Sequence, residues 1–488
     1  MTSSLAWLTL AVLMAPMVGS AIVLLLGLRY PRSGWPIVVV TLVVTSTIAT
    51  VLLAAAWRDP VRFEVGNIPS RYGIELVADG IAGVLIVLTL LVMLGAVIHL
   101  RRTGPRGSAF NAGILLLTGG TLGVTLAGDL FNLYVFLEIS AIASYALISS
   151  SRSPVATYAA FKYLLLGTIG ATLYLLGIAY VFVATGTLNM VTTAAALEAI
   201  GYADPIVVAS FVLIGIGLAI KIALFPLHTW LADAHAAAPD AISAIVSGVL
   251  PAIAVYALAR ITFTVYSVDF LNANVTLNML LLYAGLITIF AGGLFALMQR
   301  NIKLLLAYST ISNMGLAVVG IALATEESMY GALLHLFGHG VAKAALFLLA
   351  GVIVLVHGAK YLDEYAGIAK QSPWLAGAFT LLGISLIGMP PTVGFMGKYY
   401  IVLGAMKTGS WLIALLVLAS TLVTIAYIVP IIDRLYFHSA SGPTSASSPV
   451  PRGTAAGVAI AIGLSIALGL VSVPLSRSLE PGIEVFLS

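Results

Sequence analysis

The chain has 488 residues, 61% of them apolar and only 8% charged, with a net charge of +4 and no cysteine. A soluble globule carries about a quarter of its residues as charges, so the composition describes an integral membrane protein and excludes a soluble enzyme. Lack of cysteine excludes disulfides, thiolate zinc sites and iron–sulfur clusters, and the basic residues are too scattered to bind nucleic acid.

In chain order, the first apolar run, near 5–28, follows an uncharged Met-Thr-Ser-Ser. It lacks the basic start of a cleaved leader and is read as an uncleaved span. Further runs of spanning length lie near 37–56, 77–99, 111–128, 130–149, 154–185, 205–230, 241–263, 275–298, 302–323, 328–357, 373–407, 411–433 and 453–473. The prediction is an all-α, polytopic membrane protein of about 14 transmembrane helices, lying in the lipid bilayer. No connection holds a soluble domain; the longest are 57–76 and the Ser/Pro/Ala-rich linker 437–452.

Numbered from the N-terminus, the odd loops hold Arg29, Arg32, Arg101, Arg102, Arg106, Arg152, Arg300, Lys303, Lys360, Lys370, Arg434 and Arg452. The opposite side holds only Arg58, Arg62, Arg71, Arg260, Lys407 and Arg477. The positive-inside bias places the odd loops in the cytoplasm and both termini outside the cytoplasmic membrane.

Two segments interrupt spanning helices. In Lys221-Ile-Ala-Leu-Phe-Pro226-Leu-His228 a proline follows a buried lysine; in Gly388-Met-Pro390-Pro391-Thr-Val-Gly394-Phe-Met-Gly-Lys398 paired prolines and glycines precede one. Proline removes a backbone donor and frees a carbonyl, tolerated at membrane depth only where water or protein groups satisfy it. The two breaks are five spans apart, and an odd offset inverts direction. The pattern predicts two inverted five-helix repeats, 111–265 and 266–436, after three N-terminal helices in 1–110 and before a linker and last helix in 437–488; broken helices in inverted repeats are a transporter signature.

Ionisable groups at membrane depth are costly and mark ion or proton paths. Glu138, Lys221, Lys343 and Lys398 lie inside apolar runs. A structural ion pair is the alternative for Lys221 and Lys398. Glu138 needs a lysine partner to stay charged. Lys162, near the start of its span, either joins the path or snorkels to the interface. Arg300 and Lys303 read as loop anchors. His335, His339 and Lys343, spaced i, i+4 and i+8, span only about 80° of one helix face. Such a stripe favours a proton relay over satisfied core histidines; a metal site is weaker because no carboxylate or cysteine accompanies it. His228, Asp233, His235 and Asp240 form either an entry funnel or a solvated loop.

The segments Asp129-Leu-Phe-Asn-Leu-Tyr-Val-Phe-Leu-Glu138, Lys221 to His235, Leu305-Leu-Ala-Tyr-Ser-Thr-Ile-Ser312, His335-x3-His339-x3-Lys343 and Pro390-Pro-x-x-Gly394-Phe-x-x-Lys398 together resemble the antiporter-like subunits of the complex I and Mrp superfamily. The start, around Gly66 to Asp79, is most similar to the D-type component of multisubunit Na+/H+ antiporters. The resemblance implies that Glu138 and Lys221 form a functional ion pair, that His339 and Lys343 relay protons between the halves, and that Lys398 is the terminal lysine. It also implies other membrane subunits as partners, protons and a monovalent cation such as Na+ as cargo, and no cofactor. One departure stands out: where the family usually has a lysine, Ser247-Gly-Val-Leu-Pro251-Ala252 places alanine. Waters, or His335 and His339, then have to bridge the path.

The function read from the sequence is a proton-translocating subunit of a cation/proton antiporter; the alternative is a pumping subunit of a respiratory complex I-type or membrane-bound hydrogenase complex. It is a transporter subunit, not an enzyme in itself. A reporter fused to the C-terminus is expected to report an extracytoplasmic location; a cytoplasmic signal would overturn the span count or the orientation.

Overall fold

The computed structural model describes residues 5–30, 32–57, 59–105, 107–439 and 450–487. Most of the predicted linker, 440–449, and the counted residues Arg58 and Arg106 lie outside the described residues.

Helices α1 (Trp7–Arg29) and α2 (Gly34–Ala56) lead into strands β1 (Val61–Glu64) and β2 (Glu75–Ala78), then α3 (Gly80–Thr103), α4 (Ser108–Leu126), α5 (Leu130–Ser149) and α6 (Pro154–Thr185). Next come α7 (Met190–Ile200), α8 (Pro205–Ile222), α9 (Leu231–Ala237), α10 (Asp240–Gly248), α11 (Leu250–Ile261), α12 (Ser267–Ala273), α13 (Val275–Leu297), α14 (Ile302–Ala322) and α15 (Glu326–His357). The rest is α16 (Pro373–Ile387), α17 (Val393–Lys407), α18 (Trp411–Phe437), α19 (Arg452–Leu470) and α20 (Ser472–Leu487).

Thirteen helical spans among the described residues are long and apolar enough to cross a membrane, with α10 to α12 joined as Asp240–Ala273. The half-helices α16 and α17 make up the remaining run, as the paired prolines predicted. The seventh span stops at Ile222, eight residues short of the predicted end, where Ala223 turns left-handed at φ 65°. The connection 57–76, predicted as plain loop, instead contains the antiparallel pair β1–β2, in register Val61↔Ala78 to Glu64↔Glu75.

Burial sorts the helices into an inner and an outer set. Asp240–Ala273 is wholly buried in its most apolar window, and Ile302–Ala322 and Glu326–His357 are 89% buried, against 33% and 28% for α1 and α2. The outer helices turn leucines such as Leu25 and Leu412 outward, as lipid-facing helices do. Arg260, counted above among the basic residues of the outer side, is no solvated anchor. It lies buried in α11 and donates to Asp79 at 2.6 Å and to the Tyr256 hydroxyl. An arginine that deep persists only with its hydrogen bonds satisfied.

The chain repeats itself with a spacing of 172 positions. Asp129 caps α5 and Asn301 caps α14; Ser153 caps α6 and Thr325 caps α15, both helices 32 residues long. The backbone bonds Leu130 N to Leu188 O and Met190 N to Gly128 O recur as Ile302 N to Lys360 O and Leu362 N to Arg300 O. Gly120 lets α4 approach Ser140 of α5, where a Cβ would sit 2.8 Å from Ser140 N. Gly292 does the same for α13 against Ser312 of α14, at 2.5 Å. Close helix approach through glycine holds bundles together where lipid offers no hydrophobic drive.

The same logic gives a test at Gly397 of α17, where an added Cβ would lie 2.9 Å from the backbone N of His335. Gly397→Val is expected to push α17 from α15 and lower the thermal stability of the purified protein, whereas Gly215→Ala, with nothing within 4 Å, leaves it unchanged. Equal melting of the two variants would refute tight packing there.

Candidate functional site

Glu138 and Lys221 meet. Lys221 occupies the last turn of α8 and donates to Glu138 Oε1 of α5 at 2.7 Å. Their side chains are 23% and 7% exposed, respectively, and they border a narrow crevice lined by Tyr134, Tyr174, Gly170 and Gly217. Two unit charges about 4 Å apart attract by roughly 4 kcal/mol at an effective dielectric near 20, which offsets part of the cost of placing them where water is scarce. Position does further work. The C-terminal end of a helix carries partial negative charge that favours a cation, and the break after Ile222 creates that end inside the bundle.

Side chains bond backbone groups at both breaks. At the first, the indole of Trp230 donates to Ile220 O at 2.9 Å, and Thr288 Oγ1 accepts from Phe225 N. At the second, the lysine itself serves: Lys398 Nζ donates to Ile387 O, the last carbonyl of α16, at 3.0 Å, and contacts Thr421 Oγ1 at 3.3 Å. No carboxylate pairs with Lys398 among the described residues.

The predicted stripe on α15 is wholly buried. His335 and His339 have ring centroids 6.1 Å apart, and His335 Nε2 lies 3.2 Å from Asn313 O. Lys343 turns to α14, donating to Leu306 O at 2.7 Å and to Ser309 Oγ. Both ring nitrogens of His339 and of His235 are without hydrogen-bond partners among the described residues. The Glu138–Lys221 pair, the α15 stripe and Lys398 are not joined to one another by direct hydrogen bonds among the described residues. Where the family lysine is missing, Ala252 is fully buried, and one turn earlier Ser247 Oγ pairs with Thr310 Oγ1 at 2.8 Å.

The entry residues divide. His228 is buried in the turn after α8 and stacks between Phe225 and Phe295. Asp233 of α9 pairs with Lys162 at 2.7 Å, with side chains 42% and 29% exposed, a contact compatible with either alternative left open for Lys162. His235, two residues on, is fully buried. Lys303, expected to be a loop anchor, is only 16% exposed and pairs with Asp240 at 3.1 Å. Arg300 remains one, 82% exposed beside Asp363. Sequence reading missed the Lys303–Asp240 pair because the partners are 63 residues apart and no motif joins them; Ser309 and Thr310 lie in the segment 305–312 that carries the resemblance, but nothing in it says which groups they bond. Glu326, Glu480 and Glu484 gather their carboxylates within 4.8 Å on the surface, but all three are exposed.

Residues 127–424 match the transmembrane family described as NADH:quinone oxidoreductase/Mrp antiporter. The chain is 38% identical to the NADH-quinone oxidoreductase subunit N of Desulforudis audaxviator over 91% of its own length and 89% of that protein. It is 34% identical to the D-type component of the Na(+)/H(+) antiporter of Alkalihalophilus pseudofirmus, over 74% and 73% of the two chains. Its fold superposes on a chain of the archaeal membrane-bound sulfane sulfur reductase with a TM-score of 0.92, at 27% identity and 98% coverage of both.

The geometry at the second break is open to test. Lys398→Met strands the Ile387 carbonyl and is expected to destabilise the purified protein by about 1–3 kcal/mol, read from denaturant or thermal unfolding. Lys398→Arg keeps a donor and recovers stability. It does not recover proton transport in the intact membrane complex, because a guanidinium holds its proton; transport by the arginine variant would rule out proton release at this position.

Proposed function

The chain belongs to the NADH:quinone oxidoreductase/Mrp antiporter family of membrane subunits, and from that we propose that it translocates protons within a hetero-oligomeric cation/proton antiporter of the cytoplasmic membrane. Protons move along Glu138, Lys221, His339, Lys343 and Lys398, with His335 beside the relay and Lys162, His228, Asp233 and His235 at the entry. The cargo exchanged against them is a monovalent cation, in the first instance Na+, as the name of the Alkalihalophilus relative suggests. Both termini lie outside.

The carrying observation is the Glu138–Lys221 pair, made at 2.7 Å beside a helix break inside an apolar bundle. Closed, the pair holds Lys221 charged. If it opens, or if another cation competes for Glu138, the lysine loses its counter-ion and its proton moves on toward the amine of Lys343, which donates to a carbonyl and a hydroxyl. The 172-residue repeat supports two halves, 111–265 and 266–436, each with one broken helix, following the helices of 1–110 and preceding 437–488. Corresponding helices such as α5 and α14 are five spans apart, so they run in opposite directions.

A redox-driven pump is the second reading, favoured by the 38% identity to a component of an NADH-quinone oxidoreductase. The two separate by what drives the flux: a Na+ gradient alone moves protons in the first, and only electron transfer in partner subunits does so in the second.

Glu138→Gln is expected to abolish cation-dependent proton flux in vesicles containing the whole complex at matched protein levels, and Glu138→Asp to retain a reduced rate. Near-normal flux from the glutamine variant would make the pair structural and place the proton route elsewhere.

A further inference from the structure

The pairs Lys162–Asp233 and Lys303–Asp240 flank the two ends of a short stretch, α9 and the start of α10, yet they address different parts of the bundle. Lys162 stands on α6, beside the helices of Glu138 and Lys221. Lys303 stands at the start of α14, the helix whose next turns present Leu306 O and Ser309 to Lys343. Asp240 is lodged against α15, the helix that carries Lys343: a Cβ on Gly351 would lie 2.5 Å from its carboxylate. Between them, His235 is fully buried with both ring nitrogens unpartnered, and its ring packs edge-on against Phe347, one turn beyond Lys343, at 6.1 Å between centroids. Lys343 and Lys303 are the two cations whose fields reach that ring. Accessibility falls inward, from 33% at Asp240 and 16% at Lys303 to none at His235 and Lys343.

We propose that Asp240 and Lys303 form the mouth of a second proton inlet that reaches Lys343 through His235 and is used in the same transport cycle as the Glu138–Lys221 pair. The proposal rests on the reading of Lys343 as a proton carrier. A proton arriving by water at the Asp240 carboxylate passes to one ring nitrogen of neutral His235; the imidazolium releases the proton of its other nitrogen to the neutral amine of Lys343. Only protons move: on releasing the second proton the ring is neutral in its other tautomer, and it regains the first by reorienting or by exchanging protons with water. Lys303 holds the carboxylate in place by donating both to Asp240 Oδ1 and, at 2.7 Å, to Ala238 O, and it is a positioning residue. Other groups facing Asp240 are His99 of α3, whose Nε2 is unpartnered, and the buried hydroxyl of Tyr365. The inlet supplies what Ala252 lacks: a way to load the centre of the wire without a lysine on α11.

The test is proton flux in vesicles holding the whole complex, in H2O and in D2O. His235→Phe, an aromatic among Trp230 and Phe347, is expected to cut flux at least about tenfold, and D2O should slow its residual flux more than it slows the wild type. Asp240→Asn should fall likewise and Asp240→Glu should recover most of the rate. His235→Gln serves if the phenylalanine variant fails to assemble. Wild-type flux from the His235 variant overturns the inlet. So does a loss with an unchanged isotope effect and lowered thermal stability, which marks a structural histidine. Glu138→Gln run in parallel separates the two ideas: flux lost there but kept in His235→Phe removes only the inlet, whereas the reverse pattern removes the Glu138 switch and leaves the inlet standing.

Discussion

A backbone carbonyl or amide that leaves its helix at membrane depth must find a partner, because lipid provides none. Both breaks in this chain are organised by that demand. Trp230 caps Ile220 O, Lys398 caps Ile387 O, and each arrangement leaves a lysine at the negative end of a half-helix. The charges follow from the breaks as much as the breaks serve the charges. An ammonium that would be intolerable against a continuous apolar helix becomes admissible where a helix ends, and Glu138 completes the first site by neutralising the lysine that stands there.

The two halves share a frame and differ in chemistry. Caps, backbone bridges and glycine contacts recur 172 residues apart, yet the position matching Glu138 is Thr310, whose hydroxyl meets Ser247. Neither Lys343 nor Lys398 pairs with a carboxylate among the described residues. Among the described residues Lys398 and Lys343 are held by neutral acceptors alone, whereas Lys221 has a carboxylate partner.

Much of this was legible in the residues. Apolar runs and their breaks gave the spans, because lipid imposes one length and forbids unsatisfied backbone; motif spacing singled out Glu138, Lys221, the α15 stripe and Lys398, because a charge in an apolar run has little other reason to be there. What stayed hidden depended on tertiary distance. Nothing in the sequence says that Lys303 meets Asp240 or that Lys162 meets Asp233, since both lysines sit near helix starts where solvated anchors also occur. Arg260 misled for the same reason: near a span end it reads as an interface charge, and only its contacts with Asp79 and Tyr256 reveal it as buried. The strands β1 and β2 were obscured by their brevity.

The 32-residue helices α6 and α15 are each about 48 Å long at 1.5 Å per residue, while the hydrocarbon layer measures about 30 Å. Each must lean or stand proud of it. Hydrophobic mismatch is relieved by tilting, thinning the bilayer or snorkelling end residues, and Lys162 lies two turns into the first of these helices while the second carries the histidines and Lys343. A change in acyl-chain length therefore bears on the tilt of the two helices that carry Lys162, His335, His339 and Lys343, so that membrane thickness acts mechanically on residues otherwise described only by charge.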